Sequence, residues 1–258
     1  MDSVVAHIVG HIDPNPTAPL FVAIQGPQGS GKSYLSAQLK QRLSQPPYSL
    51  IVAVFSIDDL YLPHDQLVHL ATQEPPNSLW AGRGQPGTHD VKLGIEIIQK
   101  LRARCKSVEL PCFDKSLFNG EGDRLATGTI IDSFVDIVIL EGWCVGFHPI
   151  SSEELSARWN GIWREEMARL NLPDLTTKSD LERVNESLKD YIELWSYFDI
   201  FIQIKPMPLQ PYPSQYSIIY KWRLQQEHNM KAINGGRGMS DEAVKACVST
   251  DSSGPTAY

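Results

Sequence analysis

The chain has 258 residues, 42% of them hydrophobic, which suffices for one large α/β domain carrying a lid and leaves too little for a second core. Its formal charge is −7, its isoelectric point is near 5.5, and lysine and arginine form no long runs, which argues against a nucleic-acid surface. Neither a membrane-length apolar run nor a secretory start is seen, and Cys105, Cys112, Cys144 and Cys247 lack CxxC or zinc-ligand spacing, so we expect reduced thiols in the cytosol, with a nuclear pool also admitted.

The first predicted element is Leu20 to Ile24, apolar throughout as a buried parallel strand is. Gly26-Pro27-Gln28-Gly29-Ser30-Gly31-Lys32-Ser33 follows and fits the pattern G-x-x-x-x-G-K-[ST]. Glycines let the backbone curl so that N–H groups face an oxyanion, Lys32 reaches the outer phosphates, and the Ser33 hydroxyl suits Mg²⁺. Tyr34 to Leu43 then reads as a helix with Leu35, Leu39 and Leu43 on one face. The loop therefore ends on a helix N-terminus, where unpaired N–H groups and the dipole favour anions. The order strand, loop, helix weighs against a chance glycine turn. Gly26, Gln28, Gly29, Ser30, Gly31, Lys32, Ser33 and Tyr34 are the expected nucleotide contacts.

A second strand, Leu50 to Ile57, ends in Ser56-Ile57-Asp58-Asp59-Leu60-Tyr61, at the strand end where such sheets bind ligands. Phosphoryl transfer to a hydroxyl needs an acceptor for the hydroxyl proton, and Asp58 is the candidate base, with Asp59 and Tyr61 as candidate substrate contacts. The competing reading is that Asp58 or Asp59 caps the next helix. In the turn-rich segment Arg83-Gly84-Gln85-Pro86-Gly87-Thr88-His89-Asp90, Arg83 offers a fork to a carboxylate or phosphate, and His89 and Asp90 suit hydroxyls. Asp90 is equally placed to cap a helix over Val91 to Arg104. Leu110-Pro111-Cys112-Phe113-Asp114-Lys115-Ser116 adds Asp114 and Lys115 as substrate contacts, a surface turn being nearly as good a reading.

The strand Val135 to Leu140 ends at Glu141-Gly142, where Glu141 would orient Mg²⁺ or its waters unless it is a solvated strand end. Leu181 to Tyr197 reads as one helix with Leu181, Val184, Leu188, Ile192 and Trp195 on a common face, and Asp199 to Ile204 as the last strand. The proline-rich stretch Lys205 to Pro213 leads into an expected lid at about 206–240. Its helical segment Tyr220 to Glu227 carries Arg223, either over the phosphates or on a solvated face. The composition of 249–258 predicts a disordered tail.

Together the phosphate loop, the D-D-L-Y segment, Arg83 to Asp90, Leu110 to Asp114, Leu140-Glu141-Gly142-Trp143 and Trp222-Arg223-Leu224-Gln225-Gln226-Glu227 resemble the D-glycerate 3-kinase group. That group includes plant glycerate kinases and fungal kinase-like proteins, within the P-loop kinase superfamily that also holds phosphoribulokinase, uridine kinase and bacterial pantothenate kinase. The similarity runs from about Pro19 to Val248, and the R-G-x-x-G-x-H-D and L-x-x-F-D-K-S segments are its most restrictive parts. The resemblance implies a single three-layer α/β/α P-loop domain over 1–258, with a mainly parallel sheet and a helical lid. It also implies ATP and Mg²⁺, a small-molecule acceptor, no nucleic-acid or membrane partner, and a monomer or homodimer. By resemblance Asp58 is the base, Arg223 the lid arginine, and D-glycerate the favoured acceptor, its carboxylate suiting Arg83. Rival readings are a uridine- or pantothenate-type kinase and a nucleotide-binding regulatory module without an acceptor. Two departures stand out: Leu60 replaces the group's usual phenylalanine, and Cys247 to Pro255 replaces an aromatic continuation of the last helix.

Overall fold

A computed structural model of the protein describes residues 1–169, 176–205, 215–233 and 240–241. In chain order its elements are α1 (Asp2–Val9), β1 (Leu20–Gln25), α2 (Lys32–Leu43), β2 (Val52–Ser56), α3 (His64–Ala71), α4 (Val91–Arg102), β3 (Val108–Leu110), β4 (Phe113–Asp114), β5 (Asp123–Arg124), β6 (Thr129–Ile131) and β7 (Ile137–Gly142). There follow α5 (Ser152–Arg158), α6 (Arg164–Arg169), α7 (Lys178–Ser187), α8 (Ile192–Trp195), β8 (Ile200–Gln203) and α9 (Gln215–Ile233).

The central sheet is parallel, in the order β2-β7-β1-β8. Its strands are apolar on both faces because both faces are covered. Val22, Ile24, Ile137 and Ile139 pack with Val5 and Ile8 of α1 and Leu39 and Leu43 of α2. The alternate residues Phe21, Ala23, Val138 and Leu140 pack with Ile97, Ile98 and Leu101 of α4 and Leu194 and Trp195 of α8. Each large side chain so buried contributes about 1.5–3 kcal/mol, and the alternation fixes strand register, since a slip of one residue would exchange the two cores. Register also sets the site: Glu141 of β7 lies between Ile24 of β1 and Ser56 of β2.

Two sequence expectations are corrected. The second strand stops at Ser56, and Ile57–Leu60 forms a tight 3₁₀ turn capped by the Ser56 side chain. The helix expected over Leu181 to Tyr197 is three pieces, α7, a 3₁₀ turn at Leu188–Tyr191 and α8. Leu181 and Val184 pack into a separate cluster with Trp80, Leu155, Trp159 and Trp163, whereas Leu194 and Trp195 join the sheet core. One straight helix cannot serve both, and Ile192, expected on the shared face, is 42% exposed. The sequence reading did not include two antiparallel ribbons, β3–β6 and β4–β5, whose strands of two or three residues are too short to show a period in sequence. The proline-rich stretch from Pro206 and the tail at 249–258 lie outside the described residues. Among the described residues, no helix is long and apolar enough to cross a membrane.

Candidate functional site

The phosphate loop joins β1 to α2 and ends at Gly31, whose φ of 88° is the left-handed conformation that closes the turn onto the helix. A Cβ on Gly31 would meet no atom of the described residues within 4 Å, so among them the loop is open there. At Gly26 the reverse holds: a Cβ would lie 2.8 Å from Ser30 Oγ and 2.9 Å from the Ile204 side chain. Ser30 Oγ is buried with no hydrogen-bond partner among the described residues, an orphaned donor inside the loop. Lys32 is buried, and its ammonium donates to the Pro27 carbonyl at 3.0 Å. Open space, an orphaned hydroxyl, a buried cation and the N-terminus of α2 together fit a polyphosphate.

Ser33 is in the first turn of α2, and its hydroxyl donates to Glu141 Oε1 at 2.7 Å. Burial pushes the Glu141 carboxyl up, with the Asp58 charge adding to it and Lys32 and Ser33 opposing. Among the described residues no three acidic, histidine or cysteine side chains could hold an ion by themselves. Mg²⁺ is held by one or two carboxylates together with substrate phosphates, and the Ser33–Glu141 oxygen pair fits that hard donor set.

At the end of β2 the Ser56 hydroxyl accepts the Asp58 N–H at 3.2 Å, while Asp59 Oδ2 accepts the Ser56 N–H at 2.9 Å, closing a capping box. Asp59 thus builds the turn, and Asp58 is the acid it presents. Asp58 Oδ2 accepts from Lys115 Nζ at 2.6 Å and Oδ1 from the Tyr61 hydroxyl at 3.1 Å. Burial alone would raise the Asp58 carboxyl, but the Lys115 ammonium outweighs it, with help from His89 and Lys32, and the net shift is downward. Asp59 is pushed up, by burial first.

Tyr61 stacks on His89, ring centres 4.6 Å apart and 19° from parallel. His89 is buried, its Nδ1 lies 2.7 Å from the Tyr191 hydroxyl, and burial lowers its pKa to about 4 despite the Asp58 charge. Thr88 locks the same loop from within, its hydroxyl donating to the Gln85 carbonyl at 2.7 Å and accepting the Gly84 N–H at 3.2 Å. Trp143, next after β7, ties this loop to the phosphate strand. Its indole N–H donates to the Gly84 carbonyl at 3.1 Å, and its own carbonyl accepts from Gln25 Nε2 at 3.0 Å.

The structure therefore brings Lys32, Ser33, Asp58, Tyr61, His89, Lys115 and Glu141 to one end of the sheet. Other expected site residues have local engagements. Asp90 caps α4 through the Leu93 N–H at 3.1 Å and pairs with Arg124 at 3.0 Å. Arg83 lies over the Phe113 ring and donates through Nη1 to the Gly120 and Glu121 carbonyls. Asp114 accepts the Ser116 N–H and hydroxyl, which hold its carboxyl below the usual range, and Tyr34 is 69% exposed. Arg223 in α9 pairs with the buried Glu227 at 3.4 Å, and a Cβ on Gly29 would stand 2.8 Å from the Trp222 backbone, so α9 lies on the phosphate loop.

Sequence reasoning missed Tyr191 and Arg124. Arg124 fans out to the Asp90 carboxylate and the Leu60 and Tyr61 carbonyls, clamping the acid-bearing turn to the start of α4. No local spacing marks a contact made 34 residues away, and Tyr191 was hidden inside an amphipathic run.

No family model matches the chain. A Saccharomyces cerevisiae protein named "Probable ATP-dependent kinase TDA10" is 38% identical over 239 residues, spanning 89% of this chain and 74% of the yeast protein. The chloroplastic D-glycerate 3-kinase of Arabidopsis thaliana is 30% identical over 254 residues, which are 96% of this chain and 49% of the plant protein. Among solved structures, a D-glycerate 3-kinase from Cryptococcus neoformans superposes with a TM-score of 0.81 at 38% identity, covering 96% of this chain and 82% of the other.

Proposed function

The chain belongs to the family of ATP-dependent P-loop kinases that holds this yeast kinase and the D-glycerate 3-kinases, and from that premise we propose that it phosphorylates a hydroxyl of a small hydroxy acid, D-glycerate foremost. The observation that carries the reading is Asp58, an acid held ionised by Lys115 at 2.6 Å and set beside the phosphate loop. A nucleotide switch with no acceptor has no use for such a base. The same reading makes 1–258 one kinase domain, a monomer or homodimer of the cytosol.

Bound ATP supplies the phosphoryl group, and Mg²⁺ neutralises the charge that develops on its oxygens. Lys32 exchanges the Pro27 carbonyl for a phosphate oxygen, and Ser33 and Glu141 hold the ion or its waters. Asp58 takes the acceptor's hydroxyl proton as the new O–P bond forms and the bond to the ADP oxygen breaks. Arg223, braced by Glu227, covers the transferring group and excludes water. Arg83 keeps Nε and Nη2 for the substrate carboxylate, since its pins to the 120–121 turn use Nη1.

The test is ADP release measured across hydroxy acids, sugars, nucleosides and pantothenate, with Lys32→Ala as the blank. D-glycerate is expected to give the highest kcat/KM, and Lys32→Ala to lose about a hundredfold or more, the scale for one preorganised charge-stabilising donor. A nucleoside or pantothenate winning by a wide margin would replace the hydroxy-acid reading. No acceptor-dependent signal at all would leave a regulatory nucleotide-binding module.

A further inference from the structure

His89 is 5% exposed, and its Nε2 is buried with no hydrogen-bond partner among the described residues. Buried polar atoms are ordinarily satisfied, so an exception at a strand-end site points to a ligand. The ring stacks on Tyr61, whose hydroxyl holds Asp58, so the unmatched nitrogen belongs to the acceptor side of the site.

What that nitrogen can do depends on where the ring proton sits. Burial keeps the imidazole neutral, so one nitrogen carries a hydrogen and the other a lone pair. Tyr191 decides between them. Its hydroxyl oxygen accepts the Gly87 N–H at 2.9 Å, and that N–H can take no proton in return. The phenol is buried, and among the described residues the acceptor its own proton meets is Nδ1, at 2.7 Å. Nδ1 is then the acceptor, and the ring hydrogen is on Nε2.

We infer that Tyr191 locks His89 as the Nε2–H tautomer, and that this N–H donates to an oxygen of the acceptor substrate adjacent to the hydroxyl being phosphorylated. A nitrogen already carrying its proton cannot take one from the substrate, so the base remains Asp58. Donation to the attacking oxygen itself would blunt its lone pair, which assigns the bond to the neighbouring oxygen. The substrate class narrows to hydroxy acids with oxygens on adjacent carbons. A 2-amino analogue would present its own donors to the N–H, and a 2-deoxy analogue would leave it unmatched. This inference rests on the hydroxy-acid kinase reading. Tyr191 is a positioning residue in it, acting through His89.

The wild-type protein labelled with ¹⁵N-histidine tests the tautomer without any variant. A long-range ¹H–¹⁵N spectrum, with His89 assigned by its loss in His89→Gln, is expected to show a protonated Nε2 and an unprotonated Nδ1. A protonated Nδ1 overturns the inference. On saturation with D-glycerate the Nε2 proton is expected to move downfield, and transfer to D-glycerate with that proton unmoved overturns this inference alone. Failure of every hydroxy acid to be phosphorylated, with ATP still bound, overturns the proposed function and the ligand assigned to Nε2 with it, while the spectrum still decides the tautomer.

Kinetics give the second arm. Tyr191→Phe is expected to raise KM for D-glycerate about tenfold, the loss of one well-placed hydrogen bond, while KM for ATP stays within about twofold. His89→Leu is expected to shrink the wild-type preference for D-glycerate over 3-hydroxypropanoate by about the same factor, and His89→Gln, which keeps an N–H donor, to restore part of it. Equal changes in both substrates' KM, or an undiminished preference in His89→Leu, overturn the assignment.

Discussion

Asp58 shows how close partners override burial. Removed from water, its carboxyl would titrate above the ordinary 3.8, yet Lys115 at 2.6 Å, with the charges of His89 and Lys32, brings it below that value. A depressed carboxylate is ionised throughout the neutral range and protonates only as pH falls through its lowered value. Lys115→Ala leaves burial dominant, so the acid limb of the kcat/KM profile is expected to move to higher pH; an unmoved limb would show that Lys115 does not govern the base. Asp58→Asn is expected to cost about 10²- to 10⁴-fold in transfer while nucleotide binding, measured by titration, survives. Residues set by a motif or a strand end, such as Lys32, Ser33, Asp58 and Glu141, were legible in the sequence. Asp59 and Asp90 were legible only as alternatives, because a helix cap and a substrate contact use the same residue type at the same place. Tyr191 and Arg124 were not legible, since their partners lie 102 and 34 residues away.

Among elements, the contact between α9 and the phosphate loop depends on one missing methyl group. Gly29 has φ of 76° and faces the Trp222 backbone at a separation that no side chain fits. Gly29→Ala meets backbone strain of roughly 1–2 kcal/mol and displaces Trp222 and Arg223. Its thermal midpoint is expected to fall by only about 2–8 °C, whereas kcat falls about tenfold or more through the displaced arginine. An unchanged kcat in a folded variant would separate α9 from the chemistry. The main strands and α2 were readable because their apolar pattern records what covers them. The break between α7 and α8 was not, because both halves keep a helical period and only the positions of two separate cores require the bend.

Across the whole molecule, phosphate loop, metal-side oxygens and candidate base are gathered on adjacent strand ends by the order β2-β7-β1. That order places Glu141 between the loop and Asp58, and it is invisible in sequence because each of the six registered pairs of β1 and β7 joins residues 117 positions apart. Nucleotide held by so much of the core is linked to folding. With Mg²⁺ and a non-hydrolysable ATP analogue at about 100 times its Kd, unfolding free energy is expected to rise by about 2.7 kcal/mol, and Lys32→Ala to lose most of that gain in the same melts. The bond from the Trp143 indole to the Gly84 carbonyl, finally, constrains any attempt to re-engineer substrate choice. A transplanted 83–90 segment must offer the indole a backbone oxygen at position 84, from φ of 142°, a conformation that favours glycine. Side chains around it are exchangeable parts; that carbonyl is the socket they plug into, and a graft that loses it would misalign the donor and acceptor halves together.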